Sequence, residues 1–159
     1  MGLGQTFLTI AAIALLGIIS LTLNTSYLNS NQTMVESEYT IEAVSLAESY
    51  LERSIGEAFD QQTIYSAVAS PTALSTTLGP EAGETNIDMF NDFDDYNGYT
   101  TAVSTQRATY NISISVVYVS DANPSVTSAS KTYHKKMTVT VSNSYMSVPV
   151  TMSYIYSYF

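Results

Sequence analysis

The sequence predicts an α+β protein: a long N-terminal α-helix, apolar in its first half and amphipathic in its second, packed on a C-terminal antiparallel β-sheet head. Three observations carry that reading. The first 35 residues hold no charged side chain, and Leu3 to Leu23 form an apolar run broken only by small or uncharged polar residues. From Met34 onward apolar residues recur at spacings of three and four, and beyond residue 98 the period changes to two.

The apolar run spans roughly 31 Å as a helix, enough to cross a hydrocarbon core. It differs from a secretory signal peptide. Met1-Gly2-Leu3-Gly4-Gln5 contains no Lys or Arg, and Asn24-Thr25-Ser26-Tyr27 is a poor cleavage site, so the segment is expected to be retained. Residues 1–33 are therefore expected to form a hydrophobic helix of membrane-spanning length, and residues 34–159 a globular head. Within the head, Ile41, Val44, Ala47, Leu51, Ile55 and Ala58 fall on one helical face over residues 34–65, with Tyr39, Leu46, Tyr50 and Phe59 widening the apolar stripe and Glu36, Glu38, Glu42, Glu48, Glu52 and Glu57 mostly elsewhere. The two halves are expected to form one helix of nearly 60 residues, roughly 85 Å long, whose weak stretch is Asn24 to Asn31, where Asn, Ser and Thr compete for backbone hydrogen bonds and loosen it.

Residues 66–98 read as loop, through Ser70-Pro71, Gly79-Pro80, Gly83 and the acidic run ending at Gly98. Residues 99–159 read as antiparallel strands. Tyr110, Ile112, Ile114, Val116 and Tyr118 alternate with polar residues, as do Tyr133, Met137, Val139 and Val141, and then Val148 to Tyr158. One sheet face needs a cover, and the amphipathic half of the helix is the available one.

Composition narrows the function. A net charge of −9 with only five Lys and Arg argues against nucleic acid, which requires clustered basic residues. The absence of Cys excludes disulfides and thiolate chemistry. His134 is the only histidine and has no partner nucleophile or orienting carboxylate signalled nearby, so it reads as a strand residue. No glycine-rich phosphate loop or paired-carboxylate site is present, and the chain reads as a non-enzyme. Tyr154, Tyr156 and Tyr158 read as sheet packing or subunit contact.

The order of parts, the start Gly4-Gln5-Thr6-Phe7-Leu8-Thr9-Ile10 and the segment Phe93-Asp94-Asp95-Tyr96-Asn97-Gly98-Tyr99 resemble type IV pilins and pseudopilins. The resemblance implies a structural subunit of an extracellular, cell-surface helical filament, formed by self-association into a homopolymer. It implies passage through inner-membrane lipid before assembly, and pilus assembly machinery as a partner. Phe7, Leu8, Ile10, Ile13, Leu15, Leu16, Ile18, Ile19, Leu21 and Leu23 would form the filament core, and Gly4 and Gln5 a candidate processing site. The chain departs from the family in lacking a basic leader and in carrying Gln5, or Thr9 if cleavage follows Gly4, where the family places a Glu. A minor pseudopilin of a secretion system and a single-pass membrane-anchored binding protein are the alternative readings.

One metal site is a candidate. Asp92, Asp94, Asp95 and Asn97 place hard oxygen ligands beside the turn residue Gly98, as calcium requires, although the EF-hand spacing is not met. The same residues equally suit an acidic turn that hydrogen-bonds its own backbone. No other cofactor is expected.

Overall fold

The computed structural model describes residues 2–158. The chain divides into two compact units, Met1–Glu38 and Tyr39–Phe159. Helix α1, Leu3–Ile55, supplies all the regular structure of the first unit and the opening of the second. The division falls five residues beyond the expected one: the amphipathic pattern begins at Met34, and packing onto the head's core begins at Tyr39.

The stretch from Asn24 to Asn31 stays helical, against the expected loosening. Hydroxyls in it and just beyond it bond the helix rather than break it. Thr25 donates to the carbonyl of Thr22 at 3.0 Å, and Thr33 to that of Asn29 at 3.0 Å, which leaves the backbone ladder intact.

In the second unit four antiparallel strands follow in order: β1 Thr100–Ser104, β2 Thr109–Tyr118, β3 His134–Ser142 and β4 Val150–Ser157. This is the expected meander. Registers Ile112↔Val141, Ile114↔Val139 and Val116↔Met137 put the apolar phases of β2 and β3 on one face, where all six are buried. Ser113, Ser115, Thr138 and Thr140 take the other face. A one-residue slip would exchange the two sets, so the alternation fixes the register.

The final turns of α1 cover the buried face through Ala43, Ala47 and Leu51, flanked by Tyr39, Leu46 and Tyr50. Ala43 and Ala47 are fully buried, and their small side chains allow close approach to the sheet. Ala47, Leu51, Tyr39, Leu46 and Tyr50 belong to the expected stripe, Ala43 joins them, and Ile41 instead points outward at 69% exposure.

Helix α1 ends at Ile55, ten residues before the expected end at 65. Gly56 weakens helix propensity there, and tertiary bonds then compete for the backbone. Ala58 N–H donates to Asn91 O at 3.3 Å and Phe93 N–H to Ala58 O at 2.8 Å, pairing the two segments in a parallel bridge. Phe59 becomes buried, and its carbonyl accepts from Lys135. A helical Ala58–Phe59 could not supply these groups in that direction. Tyr156 and Tyr158 pack on Phe59 with ring centroids 5.5 and 5.3 Å away, so two of the three tyrosines near the C-terminus serve head packing. Tyr154 stays 38% exposed.

Candidate functional site

In the first unit, the apolar residues expected to form a filament core all face outward. Their exposure runs from 49% at Ile19 to 74% at Leu8. Successive residues turn by about 100°, so Phe7, Leu8, Ile10, Ile13, Leu15, Leu16 and Ile18 occupy all sides of the helix rather than one stripe. A helix apolar all round belongs inside an apolar environment. Covering ten such side chains is worth roughly 15–30 kcal/mol, at about 1.5–3 each, which equals or exceeds a domain's ordinary net stability.

Three hydroxyls in this stretch are already bonded within the helix. Thr6, Thr9 and Thr22 donate to the carbonyls of Leu3, Thr6 and Ile18 at 2.8, 2.9 and 2.9 Å. A hydroxyl spent on its own helix can leave water without an unsatisfied donor. Gly17 sits mid-helix, and a Cβ there would meet nothing within 4 Å inside the chain. Glycine costs about 1 kcal/mol against alanine in a helix interior, and no intramolecular contact compensates it. Gly4 and Gln5 lie in the first turns of α1, both exposed. By length and composition α1 is able to cross a membrane, and its apolar window has no residue buried inside the protein.

The second unit holds a buried ionic cluster that the sequence reading missed. Lys135 occupies the inward phase of β3 between Tyr133 and Met137 and is fully buried. Its ammonium donates to Asp60 Oδ2 at 2.7 Å, to Phe59 O at 2.9 Å and to Asp94 Oδ1, so all three donors are used. The Phe59 ring lies 4.6 Å from the nitrogen and that of Tyr118 5.4 Å away. The two carboxylates are not equivalent. Burial raises both, but for Asp60 the ion pair and the Gln62 and Ser75 N–H groups outweigh it and hold the carboxyl below its usual value. For Asp94 burial wins over Lys135, and its carboxyl is raised. The available sequence signal was a lysine on the apolar phase of an alternating strand, since such a residue requires buried counter-charges.

The four expected calcium ligands are divided among different tasks. Asp92 caps the 3-10 turn Phe93–Tyr96, its Oδ1 accepting from Asp94 N–H at 2.8 Å and Asp95 N–H at 3.3 Å. Its remaining oxygen has no donor, and its carboxyl is pushed up to about 9 by burial and by the charges of Asp94 and Asp95. Asp94 serves Lys135. Asn97 donates to Leu78 O at 3.0 Å and accepts from Val116 N–H at 2.8 Å, fastening the loop to β2. Gly98 has φ +80°, a conformation open to glycine, and its N–H reaches Ile114 O at 3.0 Å. Asp92 and Asp95 thus bond the backbone of their own segment, Asp94 and Asn97 bond residues elsewhere in the head, and of the four Asp95 joins a compact carboxylate group with Glu81 and Glu84.

His134 lies at the start of β3, its Nδ1 2.8 Å from Ser157 Oγ and its Nε2 3.7 Å from Asp121 Oδ1. A hydroxyl and a carboxylate thus flank the histidine, for which the sequence signalled neither. No protein-family model, curated protein or solved structure matches the chain.

Proposed function

We propose that the protein is the structural subunit of a cell-surface filament, held in a membrane by residues 3–23 and assembled by packing those segments from many copies along a common axis. One observation carries this reading: the apolar helical surface is uncovered on every side, while the head buries its own core. Lipid tails and a bundle of identical apolar helices are similar surroundings for such a surface, so one segment serves in both. The internally satisfied threonines and the open space at Gly17 suit both surroundings, and Gly17 would allow helices of neighbouring copies to approach closely.

The test is to shear the source cells and image the released material by cryo-electron microscopy. A helical reconstruction with this chain traced and residues 3–23 lining the axis is the expected result. Recovery of the chain only in membranes, with no filament containing it, overturns the proposal in favour of an anchored head.

A further inference from the structure

We infer that the side chains of Lys135 and Asp94 join in an amide bond, a covalent clamp that ties β3 to the turn before β1, with Asp60 taking up the lysine's proton. The bond concerns the head alone and does not depend on filament assembly. Both partners are fully buried and in contact, although 41 residues separate them in sequence. An amine and a carboxyl held together in this way meet as parts of one molecule, which removes the entropic part of the barrier to their condensation.

The lysine meets two carboxyl groups where charge balance requires one, and the fold gives them different surroundings. Asp60 is fastened through both oxygens. Its Oδ1 accepts from Gln62 N–H at 3.0 Å and Ser75 Oγ at 2.9 Å, and its Oδ2 from Lys135 at 2.7 Å and Ser75 N–H at 3.0 Å. Burial there is outweighed by Lys135 and these N–H groups, so Asp60 is ionised, as a proton acceptor must be. Asp94 receives the lysine on Oδ1 alone, and its Oδ2 is buried without a donor, as is Oδ2 of Asp92. At Asp94 burial wins over Lys135, which favours the neutral acid. A neutral acid, unlike a carboxylate, is open to attack by an amine at its carbonyl carbon. The rings of Phe59 and Tyr118, 4.6 and 5.4 Å from Nζ, wall the site from water. Exclusion of water favours a condensation that releases it and protects the product from hydrolysis.

The step balances without any other reagent. The ammonium gives one proton to Asp60 Oδ2, and the freed lone pair on Nζ attacks Cγ of Asp94 in its acid form. The C–N bond forms as the carbonyl π bond opens. The nitrogen then passes a second proton to the Oδ2 hydroxyl, the C–Oδ2 bond breaks, the carbonyl re-forms and water leaves. Asp60 keeps the first proton, so the cluster is neutral before and after. Neutral groups replace a buried ion pair, which removes the cost of holding two charges out of water. The ionic balance of the cluster is that of the chain before this step. The bond also closes a loop that contains β1 and β2, which restricts the unfolded chain.

Tandem mass spectrometry of the full chain, purified in detergent, denatured and digested with trypsin, reads the bond directly. The expected result is no cleavage after Lys135 and a branched product joining Thr132–Lys136 to Ser54–Arg107. That product is lighter by one water than its two peptides together, and fragmentation places the branch at Asp94 and not at Asp60. K135R, D94A and D60N are expected to yield linear peptides only, and K136R to retain the branch, with circular dichroism establishing that each head is folded. Cleavage of the wild-type chain after Lys135, with both peptides at full mass, overturns the bond and leaves a buried ion pair only. A branch at Asp60, or as much branched product in D60N as in wild type, overturns the assigned roles. The wild-type masses decide the bond whether or not a variant folds.

Discussion

Two alanines in α1 illustrate how differently its segments are used. Ala14, in the first unit, is exposed among leucines and isoleucines that are exposed as well, whereas Ala47, in the second, is fully buried against the sheet. The second unit satisfies its apolar surface within one chain. The first leaves its surface for something outside the chain. The same contrast holds for polar groups, since the hydroxyls of Thr6, Thr9 and Thr22 bond the helix that carries them, whereas Lys135 reaches across the fold to Asp60 and Asp94. A helix can be locally complete and still need an apolar environment. A buried charge needs partners that only a tertiary fold brings.

The substitution that breaks this contrast most sharply is Leu15→Lys. A lysine at the centre of a membrane-embedded helix costs about 2.5–3.5 kcal/mol on insertion scales, and each subunit of a polymer would repeat that cost. Filaments are expected to vanish from sheared material, while the head melts at its wild-type temperature. Loss of both would show that the units do not behave separately.

Lys135→Ala acts on the other side. It leaves Asp60 and Asp94 facing each other in a dry core, and removing one partner of a buried ion pair costs about 3–5 kcal/mol. Chemical denaturation of the head should register that loss, with the helicity of residues 3–35 retained. A loss below about 1 kcal/mol would mean that water reaches the cluster.

The smallest effect separates the two carboxylates by pH. Asp60 is held below its usual value of 3.8, so its contribution is complete above that value and lost as pH falls through the lower folded value. Asp94 is raised, so its contribution is complete below 3.8 and lost as pH rises through its higher folded value. Asp60→Asn should therefore flatten the loss of melting temperature on acidification below about pH 4. Asp94→Asn should cost less at neutral pH, because it leaves Lys135 with one ionised partner. Equal costs at neutral pH would contradict the inequality of the two carboxylates.

Much of this architecture was legible in the residue order, and the failures are physical ones. The alternation in β2 and β3 placed Ile112, Ile114, Val116, Met137, Val139 and Val141 on the buried face, because side-chain direction in a strand follows directly from position. The end of α1 was misplaced because periodicity alone extends a helix until something competes with it. The competitors, Asn91, Phe93 and Lys135, lie more than thirty residues away in sequence. The candidate calcium ligands were chosen for their proximity in sequence, and the fold separated them: Asp94 turned to Lys135, Asn97 to Leu78 and Val116, and Asp95 toward Glu81 and Glu84.

By itself the sequence determined the elements whose causes are local: an uncharged apolar helix, an amphipathic continuation and strands with a period of two. Only the tertiary structure decided where α1 stops, which of its faces is covered, what neutralises Lys135 and which carboxylates meet. Hydrophobic periodicity is a property of neighbours along the chain. Charge compensation and hydrogen-bond competition depend on groups that folding brings together, and no local pattern records them.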